Sequence, residues 1–276
     1  MSVKQFQAEV ADGERFRFGK NWQRFLLVLD DERIAEAERS LKGMLGEPDG
    51  KSFLDIGSGS GLFSLAAMGL GASRIHSFDY DPQSVSCTQF LKQRYYPDAV
   101  NWTIQQGSVL DTEYLEGLGQ WDIVYSWGVL HHTGDMWSAL KNASYLVKRG
   151  GILFISVYND QGPRSQFWKK IKLLYNRGTF PRCLVLAIFI PYFALRGFAA
   201  DIILRRKNPL LRYFRNKSDR GMSYVHDWLD WLGGYPFEVA KPEDVLQFYQ
   251  RLGFSLERLK RPRDASACNE FVFKKL

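Results

Sequence analysis

Hydrophobic and polar positions change period several times along the chain, and each change marks an element. After a polar start, Ile34, Ala37, Leu41 and Met44 recur at steps of three and four, the spacing of one buried helix face. Short apolar runs then end near Ile56, Asp79, Gln106, Ser126 and Tyr158, and helical stretches open near Gly61, Pro82, Asp111 and Asp135 between them. Strands alternating with helices in this way predict a parallel sheet covered on both faces, with ligands bound at the carboxyl ends of the strands. Near the end, Pro242-Glu-Asp opens a helix that runs to about Leu252 and stops at Gly253. Residues 254–260 and 270–274 read as two final strands joined by a charged, Pro-containing turn at 261–264.

Residues 160–235 interrupt the alternation and are too many for a simple connection. The chain therefore divides into an N-terminal helical cap (1–50), a core (51–159 and 236–276) and an insertion (160–235) with its own structure. At 276 residues, 45% apolar and 24% charged, the chain is long enough to bury a full core; 15% aromatic residues favour a site or surface for flat or greasy partners. The net charge of +7 belongs to one segment, since residues 161–220 hold fourteen Lys or Arg against Asp201 and Asp219. Cys87, Cys183 and Cys268 have no metal or redox spacing, and no third ligand joins His131 and His132, so neither a metal nor a disulfide is expected. The first ten residues lack the apolar core of a signal peptide, and a cytoplasmic location is expected.

The densest chemical signal is Phe53-Leu-Asp-Ile-Gly-Ser-Gly-Ser-Gly, an apolar strand running into Gly57, Gly59 and Gly61. Alternate glycines let a backbone turn sharply and approach a ligand, and Asp79, eighteen residues after Gly61, stands where a ribose-binding acid belongs. A dinucleotide fingerprint needs its third glycine one position later, and that position is Leu62. Gly-x-Gly-x-Gly after Asp55 resembles the first motif of class I S-adenosylmethionine-dependent methyltransferases. Residues 121–132, Trp-Asp-Ile-Val-Tyr-Ser-Trp-Gly-Val-Leu-His-His, and 146–155, Leu-Val-Lys-Arg-Gly-Gly-Ile-Leu-Phe-Ile, look like the same family's fourth-strand and fifth-strand motifs. The resemblance covers about 51–158 and points to the ubiquinone-biosynthesis-like, small-molecule branch.

What the resemblance implies is specific. The fold would be a seven-stranded, doubly wound, Rossmann-like α/β sheet whose last strand inserts antiparallel between the fifth and sixth. Asp55 would lie near the methionine end of S-adenosylmethionine, Gly57, Ser58, Gly59 and Gly61 would pass beneath it, and Asp79 with Tyr80 would hold the ribose. Where the family has an acid after a glycine to meet adenine, this chain has Gly107-Ser108, so Ser108 and Val109 become the adenine candidates, with Trp127 also on the cofactor. The product would be S-adenosylhomocysteine.

Methyl transfer needs alignment, exclusion of water and, for an acidic acceptor, a base. His132, or else His131, is the candidate base, since an unperturbed imidazole can take a proton near neutral pH; both can equally cap a helix or pack. Trp22, Tyr158, Asn159, Trp228, Trp231 and Tyr235 are candidate contacts to an apolar or aromatic acceptor, against ordinary core or turn roles, with O-methylation the preferred chemistry. In the insertion, residues 183–195 are almost wholly apolar, and Pro191, Arg196 and Asp201 are expected to break the run before it can span a bilayer. An interfacial segment on an anionic membrane through 182–220, peripheral at the inner membrane surface, a lid over a lipophilic acceptor and a buried core helix all fit it. RNA is the weaker partner reading of the same charge, because no RNA-binding motif accompanies it. Two other classes remain open: a membrane- or RNA-binding protein on a vestigial cofactor fold, and a nicotinamide-dependent oxidoreductase.

Overall fold

In a computed structural model, which describes residues 3–203, 224–262 and 267–276, the chain is built on one seven-stranded sheet of order β3-β2-β1-β4-β5-β7-β6. The strands are β1 (Ser52–Ile56), β2 (Arg74–Asp79), β3 (Trp102–Gln106), β4 (Trp121–Trp127), β5 (Val147–Tyr158), β6 (Phe254–Lys260) and β7 (Cys268–Lys275). The first five are parallel, and β7 runs antiparallel between β5 and β6. Every residue of β1 is buried, as a central strand covered on both faces requires.

Three helices precede the sheet: α1 (Val3–Ala11), α2 (Phe18–Leu26) and α3 (Asp31–Leu45). The crossovers are α4 (Leu62–Gly69), α5 (Pro82–Tyr95), α6 (Thr112–Leu118) and α7 (Met136–Tyr145), and the last three start alike. Asp81, Asp111 and Asp135 accept from Gln83 N, Tyr114 N and Ser138 N at 2.9–3.2 Å, so a short acid satisfies an orphan donor at each helix start. The insertion contributes α8 (Pro163–Asn176), α9 (Thr179–Ile203) and α10 (Tyr224–Gly233), and α11 (Pro242–Arg251) leads into β6.

One sheet face buries Leu54, Val124, Leu140, Leu153, Tyr249 and Phe273. The other buries Phe25, Leu41, Phe53, Leu65, Ile75 and Trp102. A third, smaller cluster of Tyr175, Val185 and Leu232, with Trp168 and Trp231 against it, belongs to α8, α9 and α10. Here an expectation fails: α9 is continuous for 25 residues through Pro191, and Thr179–Ala199 is long and apolar enough to cross a membrane by length and composition. Arg205, Arg206 and Lys207, and the second half of the turn at 261–264, lie outside the described residues.

Strand order changes direction at β1, between β2 and β4, and the chain opens there on the carboxyl side of the sheet. That crevice is where an open α/β sheet binds ligands.

Candidate active site

A cavity of about 940 Å³ fills this crevice, at the upper end of the ~300–1,000 Å³ range of ligand sites. In strand order its lining runs from Ser108 and Val109 after β3, through Asp79 and Tyr80 at β2 and residues 57–60 after β1, to Trp127 at β4, Tyr158 at β5 and Glu270 in β7.

The floor is the glycine loop. Gly57 N and Ser58 N both donate to Phe78 O, at 2.8 and 3.1 Å, which ties the loop to the end of β2. Gly57 (φ +75°) and Gly59 (φ +57°) are left-handed, and a Cβ would meet Val129 at the first and the Trp22 indole at the second. The glycines thus admit neighbouring protein as well as a ligand. Gly61 stands apart: it caps α4 against Thr88 and does not line the cavity, unlike Gly57, Ser58 and Gly59.

Two carboxylates face this floor. Asp79 accepts Gly59 N at 2.9 Å on one oxygen and Asp81 N at 2.8 Å on the other. Burial, with Asp81 beside it, pushes Asp79 up to about 7. Each of its oxygens keeps a lone pair for a further donor. Asp55, 2% exposed, is also pushed up to about 7 by burial, against the opposing bond from Ser64 Oγ at 2.5 Å. Since Ser64 donates to Asp55, it accepts from Ser77 at 2.7 Å, and Ser77 accepts from Trp102 Nε1 at 2.8 Å. This relay fixes Asp55 from beneath the sheet. Ser108 Oγ accepts Leu110 N at 3.2 Å, leaving its hydroxyl hydrogen and a second lone pair for a ligand.

The N-terminal segment crosses the cavity mouth. Arg15 donates to the carbonyls of His132 and Thr133 at 3.0 and 3.3 Å and to Glu9 at 2.6 Å, and lies 4.8 Å over the Tyr80 ring. Tyr80 Oη donates to the other Glu9 oxygen at 2.9 Å; burial and that bond push its phenol up to about 12. Gly19 N donates to Asp81 at 2.8 Å, and Trp22 covers Gly59. Glu9 and Arg15 were not anticipated, because a charged residue in a polar N-terminus carries no local signal of a partner on the far side of the fold.

At the β4 and β5 end, His131 and His132 form a 3₁₀ turn and diverge in role. His131 is fully buried, lies outside the cavity lining, and stands 4.4 Å from the His132 ring and 4.2 Å from Tyr158. Burial drives it well below its ordinary value, and what separates it from His132 is position: it packs among these rings away from the cavity. His132 lines the cavity, and its Nδ1 stands 2.6 Å from Pro236 O. A carbonyl only accepts, so Nδ1 carries the proton and Nε2 keeps the lone pair. Burial lowers His132 to about 3, below the imidazole poised near neutrality that was expected, so in the ligand-free protein it is neutral and weakly basic near pH 7.

Of the acceptor candidates, Trp22, Tyr158 and Trp231 line the cavity and Asn159, Trp228 and Tyr235 do not. Asn159 accepts from Asn269 at 3.1 Å and holds β5 to β7, Trp228 packs 5.9 Å from Phe193, and Tyr235 O accepts Phe16 N at 2.8 Å. Two more residues were missed. Glu270 lines the cavity and joins Trp127 Nε1 at 3.3 Å and Lys260 Nζ at 3.2 Å; a carboxylate inside an apolar strand run was its available signal. Lys172 is fully buried, donates to Trp231 O and lies 4.4 Å from the Trp231 ring, and its charge helps lower both histidines. Among the described residues no group of three or more His, Cys, Asp or Glu is arranged for a metal.

A family model described as a methyltransferase domain matches residues 54–153, the span of the glycine loop, Asp79, Ser108 and both histidines. Over those residues the chain is similar to methyltransferase domains. The ribosomal protein L11 methyltransferase of Anoxybacillus flavithermus is 30% identical over 124 residues, 39% of this chain and 39% of that protein. The ubiquinone biosynthesis O-methyltransferase of Pelagibacter ubique is 26% identical over 132 residues, 48% of this chain and 49% of that protein. The chain thus spans about half or less of the length of these curated relatives. The crystal structure of magnesium protoporphyrin IX methyltransferase from Synechocystis PCC 6803 with bound SAH superposes with a TM-score of 0.55, covering 93% of this chain and 94% of that one at 15% identity. At that identity the likeness is one of fold: a seven-stranded α/β sheet flanked by helices.

Proposed function

We propose that the protein is an S-adenosylmethionine-dependent methyltransferase acting on a small, apolar or aromatic acceptor, with O-methylation preferred. One observation carries this: Asp79, fixed by Gly59 N and Asp81 N, and His132, with Nε2 left as an acceptor, line a single cavity, and both fall in the residues that the methyltransferase family model matches. The residues present suit the cofactor. Asp79 has lone pairs for a ribose diol, Ser108 and Val109, lining the cavity beyond β3, would meet adenine, and Asp55 would offer a carboxylate to the methionine end. When bound, S-adenosylmethionine supplies an activated methyl group. The chain's own part is to hold both reactants, keep water out with the Arg15–Glu9–Tyr80 closure, and receive the acceptor's proton. His132 is the candidate receiver. Its weak basicity means that the proton leaves the acceptor late, as the new bond forms. Phe18, Trp127, Tyr158 and Trp231 favour a flat or greasy acceptor beside it.

The test has two arms. Calorimetry with S-adenosylhomocysteine measures the cofactor site, and labelled S-adenosylmethionine with a cell extract reads the acceptor. Label in the lipid or small-molecule fraction supports the proposal. Label in RNA or protein refutes the acceptor class, and absence of cofactor binding refutes the whole.

A further inference from the structure

The insertion carries a surface that the methyl-transfer site does not use. One face of α9 packs through Val185, Phe189 and Phe193 against Trp168 and Tyr175 of α8 and Trp231 and Leu232 of α10. Along the opposite face Phe180, Leu184, Ile188, Tyr192, Leu195 and Ile202 form one stripe, each 47% exposed or more. Arg182 and Arg196 of α9 are exposed, Arg182 over the Tyr175 ring, as are Arg177 in the connection to α8 and Arg164, Lys169 and Lys170 on α8 itself. We propose that this face of α9 docks on an anionic bilayer, the apolar stripe among the acyl chains and the basic residues at the headgroups.

Charge complementarity selects this occupant. The segment 161–220 holds fourteen Lys or Arg against two Asp, so a second copy meeting the same face would bring like charge to like charge. A lipid surface rich in phosphate offers the opposite sign together with an apolar phase. Length alone would let Thr179–Ala199 span the membrane. Packing opposes that: α8 is joined to α9 through residues 177–178 alone and would carry Lys169, Lys170 and buried Lys172 into hydrocarbon. The helix therefore lies in the interface. Trp231 stands 4.3 Å from Trp168 and 5.7 Å from Phe193, and also lines the cavity, so the cavity wall and the docking helix share one aromatic layer. Resting on the methyltransferase proposal, this narrows the acceptor to a molecule that partitions into lipid; the docking itself does not depend on it.

Flotation of the full chain, without cofactor, on phosphatidylglycerol-containing and on pure phosphatidylcholine vesicles tests the inference. Wild type binds the anionic vesicles more tightly, and high salt weakens the binding. Ile188→Asp and Leu195→Asp each reduce partitioning by about tenfold or more, with melting temperature and S-adenosylhomocysteine affinity unchanged. Wild type that fails to float, variants that float as well as wild type, or a sedimenting dimer that the variants dissolve would each overturn it. Lost cofactor affinity with intact flotation strikes the methyltransferase proposal alone, and the converse strikes docking alone.

Discussion

Replacing Asp79 by Asn separates the two things its carboxylate does. In the ligand-free protein Asp79 ionises at about 7 instead of 3.8, so the unfolded chain gives up its proton first and stability falls as pH rises between those values. That difference corresponds to roughly 4 kcal/mol, reduced to on the order of 1–2 kcal/mol because the carboxyl opens onto the cavity and water screens it. Asn keeps one acceptor oxygen for Gly59 N or Asp81 N and removes the charge, so the ligand-free variant melts at the same temperature as wild type or higher at pH 8. Cofactor binding moves the other way. Charge-assisted bonds to a ribose diol contribute about 1.5–3 kcal/mol each and do not add fully, so the variant loses about 2–4 kcal/mol, roughly 30- to 1,000-fold in Kd. Calorimetry with S-adenosylhomocysteine at pH 6, 7 and 8, beside thermal melts, reads both effects. Wild-type affinity changes with pH as Asp79 and Asp55 ionise, and the variant keeps only the part of that slope that Asp55 supplies. A variant Kd within about threefold of wild type at pH 8, or an unchanged pH slope, refutes the role of Asp79 as the ribose ligand.

Other expectations follow from single contacts. His132→Asn keeps a donor for Pro236 O and lowers turnover by about 10²–10⁴-fold with cofactor affinity unchanged; turnover assays that find no loss assign the proton elsewhere. Gly59→Ala meets a left-handed backbone and the Trp22 indole 2.9 Å from the new Cβ, and destabilises by about 1–3 kcal/mol in urea titration. His131 is buried and held well below 6.5, so below that pH the unfolded chain takes up a proton that the folded chain refuses. The stability of His131→Leu relative to wild type therefore grows by about 2 kcal/mol between pH 7 and pH 5; equal urea curves at both pH values contradict its buried, neutral state.

Local chemistry determined much of this protein from sequence alone. Strand and helix order, the helix starts near 82, 111 and 135, the glycine loop and Asp79 at its strand end are all written within a few residues of themselves, and the periodicity of apolar positions with local turn chemistry is enough to read them. Tertiary structure decided what depends on contacts made across the chain. Arg15 reaches His132 over 117 positions and Glu270 reaches Trp127 over 143, so no window of sequence could place either at the cavity. Burial divided the adjacent histidines, sealing His131 into packing and leaving His132 on the cavity as a weak base. Strand register and helix packing likewise kept Tyr158 and Trp231 on the cavity and removed Asn159, Trp228 and Tyr235. Pro191 was read as a break, yet α9 passes through it, held by Trp168 and Trp231 on one side. Residue type sets what a side chain can do, and only the packed fold sets how basic, how exposed and how near its partner it is.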